Sequence, residues 1–333
     1  MAKGRHSLTA GSVALIAGLL VPLLVRNPYY IELGVQIEFY MVLAIGLNMV
    51  VGYCGLLDLG YAAFFAIGAY TTGILMTHLH FSFWFCIPFC ILGAALAGVI
   101  IGGPTLRLRS DYLAVVTLGF GEIVQLLATN LKITGGATGI FGIHPLRLGA
   151  HAFSMTDYYY MMIILVVLGV VGAYSLRYSR VGRAWHYIRE DEDAAMAMGV
   201  NTALFKLYAY ITGAMWGSMV GAVYAVSMTA IAPESFSYSQ SVLILIAVIL
   251  GGLGSIPGVL VGAVLVVVLP ELLRGVALFR LLVFGLLMVV FMILRPQGMW
   301  PENIRGVFKP LVGKTAGKKP GNGSALSLGG GGE

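Results

Sequence analysis

The chain has 333 residues, 59% of them hydrophobic and only 10% charged, and its 20 Lys and Arg against 14 Asp and Glu give a formal net charge of +6. A mean hydropathy of +0.92 suits a bilayer as solvent far better than water, which argues against a soluble globular protein and marks a polytopic membrane protein. The positive charge does not point to nucleic acid, because the basic residues flank apolar stretches, where Lys and Arg of membrane proteins gather on the cytoplasmic side.

In chain order, the start MAKGRHSLTAGSVALIAGLLVPLL has the basic residues and apolar run of a signal peptide. It lacks a small-residue cleavage pattern, and therefore reads as an uncleaved first span at residues 8–25. Further stretches of spanning or near-spanning length lie at 35–51, 56–77, 83–106, 112–130, 158–176 and 204–228. The apolar run 242–269 exceeds one span and is interrupted by GGLGSIPG. That break predicts a tight turn between two short helices, 239–252 and 257–273, ahead of a last helix at 276–294. The expected fold is an all-α integral membrane bundle of about ten transmembrane helices, with eight or nine as alternatives.

Charge placement orients this bundle. With the N-terminus inside and the spans alternating, only Arg26, Lys132, Arg147, Arg274 and Arg280 of the 20 basic residues fall on outer segments. This asymmetry places both termini in the cytoplasm. The domain reading is a cytoplasmic N-terminus at 1–7, a transmembrane domain at 8–300 and a Gly/Ser-rich cytoplasmic tail at 301–333, expected to be disordered.

Glycine is abundant, at 45 residues, and two sets recur every four positions: Gly213, Gly217, Gly221 and Gly254, Gly258, Gly262. Residues four apart share a helix face, so both sets predict close backbone approach between helices. Cys54, Cys86 and Cys90 are odd in number and set in apolar sequence, which suits buried packing rather than a disulfide framework. No His or Cys spacing suggests a metal, and no nucleophile or metalloprotease motif supports an enzyme.

Polar residues inside spans need a reason, because a charge at a helix centre costs about 2.5–3.5 kcal/mol on insertion scales. Glu122, Gln125 and Thr129 form one stripe that must face protein or water. It either lines a transport route or makes a structural hydrogen bond to a neighbouring helix. Asp58 sits in GYCGLLDLGY, where an acid at a helix start suits the dipole. With Asn48 and Tyr61 it outlines a non-helical neck, tolerated in a membrane where backbone is buried in protein or faces water.

The most polar stretch is the island at 177–206, RYSRVGRAWHYIREDEDAAMAMGVNTALFK. Arg189, Glu190, Asp191, Glu192 and Asp193 precede AAMAMG; acids favour a helix start and Gly199 can stop one. The expectation is a short amphipathic cytoplasmic helix offered to a soluble partner, against the plainer reading of a solvated loop.

GRAWHYIREDEDAAMAMGVN resembles the coupling segment of ABC-importer permeases for branched-chain amino acids, specifically the M-type membrane subunit. GLNMVVGYCGLLDLGYAAFFAIGAY, LRLRSDYLAVVTLGFGEI, TGGATGI, PESF, GGLGSIPG and RPQGMWP agree in order, so the resemblance covers residues 43–301. It implies a multi-pass permease of the bacterial inner membrane that pairs with an H-type permease, two cytoplasmic ATPases and a periplasmic amino-acid-binding protein. The chain itself would bind no cofactor, ATP and Mg being held by the ATPases. Coupling would fall to Arg183, Arg189, Glu190, Asp191, Asp193, Ala194, Ala195 and Gly199; Asn48, Asp58, Tyr61, Glu122, Gln125 and Thr129, read from the residues themselves, are either part of a translocation path or structural polar groups within the membrane. His186 and Tyr187 depart from the family's simpler residues. A urea or short-chain amide importer permease shares the motif set. An ion-coupled transporter with Glu122 as proton carrier is the rival from another class, but it gives the island no task.

Overall fold

Asn27 opens the first described helix: its side chain accepts from the Tyr29 amide, and Pro28 fills a first-turn position where no N–H is needed. The structure is a computed structural model that describes residues 27–105, 110–148, 151–273, 280–295 and 298–300, with Gly18 and Pro22. Residues 1–7, most of the expected span at 8–25 and the tail at 301–333 lie outside the described residues.

The first helix, α1 (Pro28–Asn48), runs on through a π-helical turn, Met49–Tyr53. It is apolar on every side over its second half and buried there, as a helix without a polar face must be. Then come α2 (Ala62–His78), α3 (Phe83–Thr105), α4 (Ser110–Asn130), α5 (Met155–Tyr178), α6 (Arg180–Glu190) and α7 (Glu192–Ala197). The order closes with α8 (Thr202–Met228), α9 (Tyr238–Gly251), α10 (Ile256–Leu272) and α11 (Arg280–Leu294). Five of these stretches are long and apolar enough to cross a membrane: Pro28–Tyr53, Phe83–Gly103, Tyr112–Asn130, Met155–Tyr178 and Thr202–Met228. α9 and α10 are shorter and apolar, and they meet at the GGLGSIPG break. The chain is thus an all-α, multi-pass membrane protein.

The helix expected from residue 56 starts instead at Ala62. Asp58 accepts from the Gly60 amide at 2.8 Å, a local side-chain bond that competes with helix formation. A β-carbon on Gly60 would lie 1.9 Å from the Thr117 carbonyl oxygen of α4, so the chain there can be nothing bulkier.

α8 is the axis of the bundle and lies against α1, α2 and α3. Its glycines carry the contact: a β-carbon on Gly213 would fall 2.5 Å from Val50, one on Gly217 3.3 Å from Phe64, and one on Gly221 2.1 Å from the Phe65 carbonyl. α2 reciprocates at Gly68, where a β-carbon would stand 2.0 Å from the Ser218 carbonyl. Such near backbone contact gains dispersion energy along the whole crossing and is the usual use of small residues in membrane helices. The second glycine set does not form one face. Gly258 and Gly262 pack on α9, against Gly251 and Ala247, but Gly254 lies in the turn between α9 and α10 with φ +84°. The turn residues that sequence spacing aligned with α10 are simply not helical.

At one end of the bundle, four short strands tie loops together. β1 (Ile140–Phe141) pairs antiparallel with β4 (Ala230–Ile231), Ile140 opposite Ile231, and β2 (Arg147–Leu148) pairs with β3 (His151–Ala152). The TGGATGI loop is therefore fastened at its end to the segment after α8. The three cysteines are free and buried.

Candidate functional site: a polar hairpin docked on a buried neck

The opposite end of α5 leads into the polar island, which folds as two helices and not one. Ser179 caps α6, its hydroxyl accepting from the Gly182 amide at 3.1 Å. Ala184, Trp185 and Ile188 recur at helical spacing and are buried, while Arg183, Tyr187 and Glu190 are exposed. Trp185 has no exposed surface, and its indole N–H donates to the Phe205 carbonyl of α8 at 2.7 Å. This contact fastens α6 to the bundle.

Asp191 breaks the helix in extended conformation and caps α7, its carboxylate accepting from the Ala194 amide at 3.0 Å. Glu192 and Asp193 occupy the first turn, where negative charge suits the helix dipole. α7 closes in a Schellman motif: Gly199 N–H donates to the Met196 carbonyl and Val200 N–H to the Ala195 carbonyl, with Gly199 at φ +82°. Asn201 then caps α8 by accepting from the Leu204 amide. Lys206, only 3% exposed, pairs with Glu192 and ties α7 to α8. Ala195 is buried, leaving Asp193, Ala194, Met196, Ala197 and Met198 as an outward face, with Met198 85% exposed.

Of the residues expected to couple, Arg183, Glu190, Asp191, Asp193, Ala194 and Gly199 are exposed. Ala195 faces inward. Arg189 is half-buried and donates to the Gly52 carbonyl in the π turn.

Beneath the hairpin lies the neck. Asn48, 1% exposed, accepts from the Gly254 amide at 2.9 Å and so joins α1 to the α9–α10 turn. Thr117 of α4 accepts from the Leu59 amide at 3.0 Å. Asp58 has no exposed surface, with Thr117 and Tyr210 beside its carboxylate. Tyr61, equally buried, donates to the Gly213 carbonyl at 2.8 Å, and Ala62 N–H donates to Ser241 at 2.9 Å. The non-helical backbone is thus bonded to three other helices around buried Asp58 and Tyr61, with Gly55 exposed at its edge, an arrangement in which a membrane tolerates it.

The polar stripe of α4 is not part of this enclosure. Glu122 is exposed, while Gln125 and Thr129 are half-buried, and Thr129 bonds only within its own helix, to the Gln125 carbonyl at 2.8 Å. Among the described residues Glu122 makes no hydrogen bond to another helix. It turns outward from the helix whose Thr117 and Gly121 touch the neck.

Sequence reasoning passed over Glu38, which lies at the start of the expected 35–51 span, where an acid reads as interfacial. The observed helix begins at Pro28, so Glu38 is about three turns in. It is buried, and Oε2 has no hydrogen-bond partner. The Lys206–Glu192 pair was also missed; a lysine in the second turn of a span helix was its only sequence signal.

A bundle of apolar helices with a capped polar hairpin docked on a buried break is the architecture of a multi-pass membrane protein. The family described as branched-chain amino acid transport system / permease component matches residues 29–294, and the chain belongs to that family. It is 40% identical over 296 residues to the high-affinity branched-chain amino acid transport system permease protein LivM of Escherichia coli strain K12, covering 81% of this chain and 70% of that protein. It is 24% identical to the probable branched-chain amino acid transport permease protein LivM of Methanocaldococcus jannaschii, over 82% of this chain and 92% of that one. It is also 23% identical to permease protein LivH of Escherichia coli K12, over 78% and 90%. No solved structure matches the chain.

Proposed function

We propose that this chain is the M-type permease subunit of an ATP-driven importer of branched-chain amino acids in the bacterial inner membrane. The single observation that carries the reading is the 40% identity to a LivM permease over most of the chain. Its weaker likeness to LivH supports pairing with a related permease of the same fold. Two cytoplasmic ATPases and a periplasmic amino-acid-binding protein complete the assembly; ATP and Mg belong to the ATPases, and this chain holds no cofactor.

In this reading the bundle has about ten spans, with both termini and the α6–α7 hairpin in the cytoplasm. The outward face of α7, from Asp193 to Gly199, enters a groove on an ATPase. Its design supports the role: a six-residue helix, capped at both ends, that presents Met196 and Met198 rather than burying them. Adaptable, apolar methionines suit a docking contact. Glu122, Gln125 and Thr129 line the route between the two permeases, because a carboxylate exposed on a membrane helix needs water or protein against it. Asn48, Asp58 and Tyr61 hold the neck at the inner mouth of that route.

The test is uptake by proteoliposomes holding this chain, its paired permease and the ATPases, with the binding protein outside. ATP-dependent accumulation of labelled leucine, isoleucine or valine is expected. Competition by urea or acetamide, without amino-acid uptake, would move the assignment to an amide importer. Transport by this chain alone under a proton or sodium gradient would replace it with an ion-coupled carrier.

A further inference from the structure

We infer that Arg189 is the positioning residue through which the α6–α7 hairpin moves the membrane core, and that it is no part of the surface offered to the ATPase. This rests on the importer reading above.

The π turn prepares the contact. In a continuing α-helix the Leu56 amide would donate to the Gly52 carbonyl, four residues back; instead it donates to Val50 at 3.2 Å, and the Gly55 amide donates to Val51. The Gly52 carbonyl is thereby left without its helical partner at the end of a long helix, where orphan carbonyls attract cations. Arg189 supplies one, donating to that oxygen. Its aliphatic stem lies over the next bend, since a β-carbon on Gly55 would come 3.1 Å from Arg189 Cγ.

Gly52 is also a junction. A β-carbon there would fall 2.0 Å from Asn48 Oδ1 and 2.6 Å from the Gly254 amide, the same two atoms that bond each other. The α9–α10 break is held in turn by the segment after α11, with Met299 N–H donating to the Leu250 carbonyl and Trp300 N–H to the Gly251 carbonyl. In the other direction the chain passes from Gly55 into the neck, which touches α4 at Thr117 and α8 at Gly213. A displacement of Arg189 therefore reaches α1, α4, α8 and the turn between α9 and α10 through packed backbone. Trp185 fixes the middle of α6 to α8, which makes Arg189, one turn further on at the end of that helix, the lever arm.

The test uses the full complex in proteoliposomes and reads amino acid imported per ATP hydrolysed, together with recovery of ATPases on purification through this chain. Arg189→Met keeps the stem over Gly55 and removes the donors; Arg189→Lys restores a cationic donor. Arg189→Met is expected to hold its ATPases and hydrolyse ATP while import per ATP falls about tenfold, the worth of one charged hydrogen bond. Arg189→Lys should recover most of that loss. Three outcomes overturn the inference: loss of ATPases from Arg189→Met, which makes the residue a docking contact; unchanged import per ATP; or failure of both variants to yield a complex, which makes it a folding residue. If instead the wild-type complex imports no branched-chain amino acid, it is the importer reading that fails.

Discussion

The neck at residues 48–61 and the tip of α7 are both polar interruptions in an apolar chain, yet they spend their polarity in opposite ways. In the neck the polar side chains turn inward: Asn48 accepts from Gly254, Asp58 from Gly60 and Thr117 from Leu59, while Tyr61 donates to Gly213. At the tip the ends are satisfied from within, by the Asp191 cap and the Gly199 closure, Glu192 and Ala195 tie one side to the bundle, and the other side is left outward. One region is locked by its neighbours, the other is anchored on one side and presents the opposite face outward. Polarity in a membrane protein therefore separates into joints and handles according to where the hydrogen bonds end, which composition alone does not reveal.

The comparison breaks most visibly at Gly60. Gly60→Val would place side-chain atoms on the Thr117 carbonyl, already 1.9 Å from a β-carbon, and backbone cannot yield as a flexible side chain does. Destabilisation above about 4 kcal/mol is expected, seen as loss of monodisperse protein on size exclusion in detergent. A variant that purifies normally would show that the neck is not locked. Asn48→Ala is milder. It leaves the buried Gly254 amide without its acceptor, at about 1–3 kcal/mol, and should lower the thermal unfolding midpoint by several degrees. An unchanged midpoint would mean that the π turn and the α9–α10 break stand independently.

Much of this was legible in the sequence, for reasons that differ between the regions. Long apolar runs announce helices because bilayer length and hydrophobicity are one-dimensional properties, and four-residue glycine spacing announced the α8 crossings. The break at 252–255 was legible because Gly252 and Gly254, with Pro257 just behind them, interrupt an overlong run. The direction of a side chain was not. Arg189 and Asp193 both sit in one run of charges, yet only the fold decides that the first meets a carbonyl from residue 52 and the second faces out. Glu122 and Glu38 make the same point in reverse: the glutamate that looked more buried is exposed, and the one passed over is enclosed.

At the tip the expected effects on stability are small, and the partner should register what the fold does not. Gly199→Ala tests the closure of α7: no atom lies within 4 Å of a β-carbon there, so only the φ of +82° opposes the substitution. The cost is about 1 kcal/mol, and Gly199→Asn, which tolerates the left-handed conformation, should recover part of it in the same thermal assay.

Met198→Glu should be smaller still in the isolated chain, within about 0.5 kcal/mol, because an 85% exposed side chain has little packing to lose. It puts a negative charge on an apolar contact surface, so recovery of the ATPases through this chain should fall sharply while the melting curve stays in place. That divergence separates a handle from a joint: in the neck, stability and assembly should fall together, and at the tip only assembly. If Met198→Glu lowers the melting midpoint as much as Asn48→Ala does, the tip is packed against this chain after all. If it leaves ATPase recovery intact, the face of α7 is not where the partner sits.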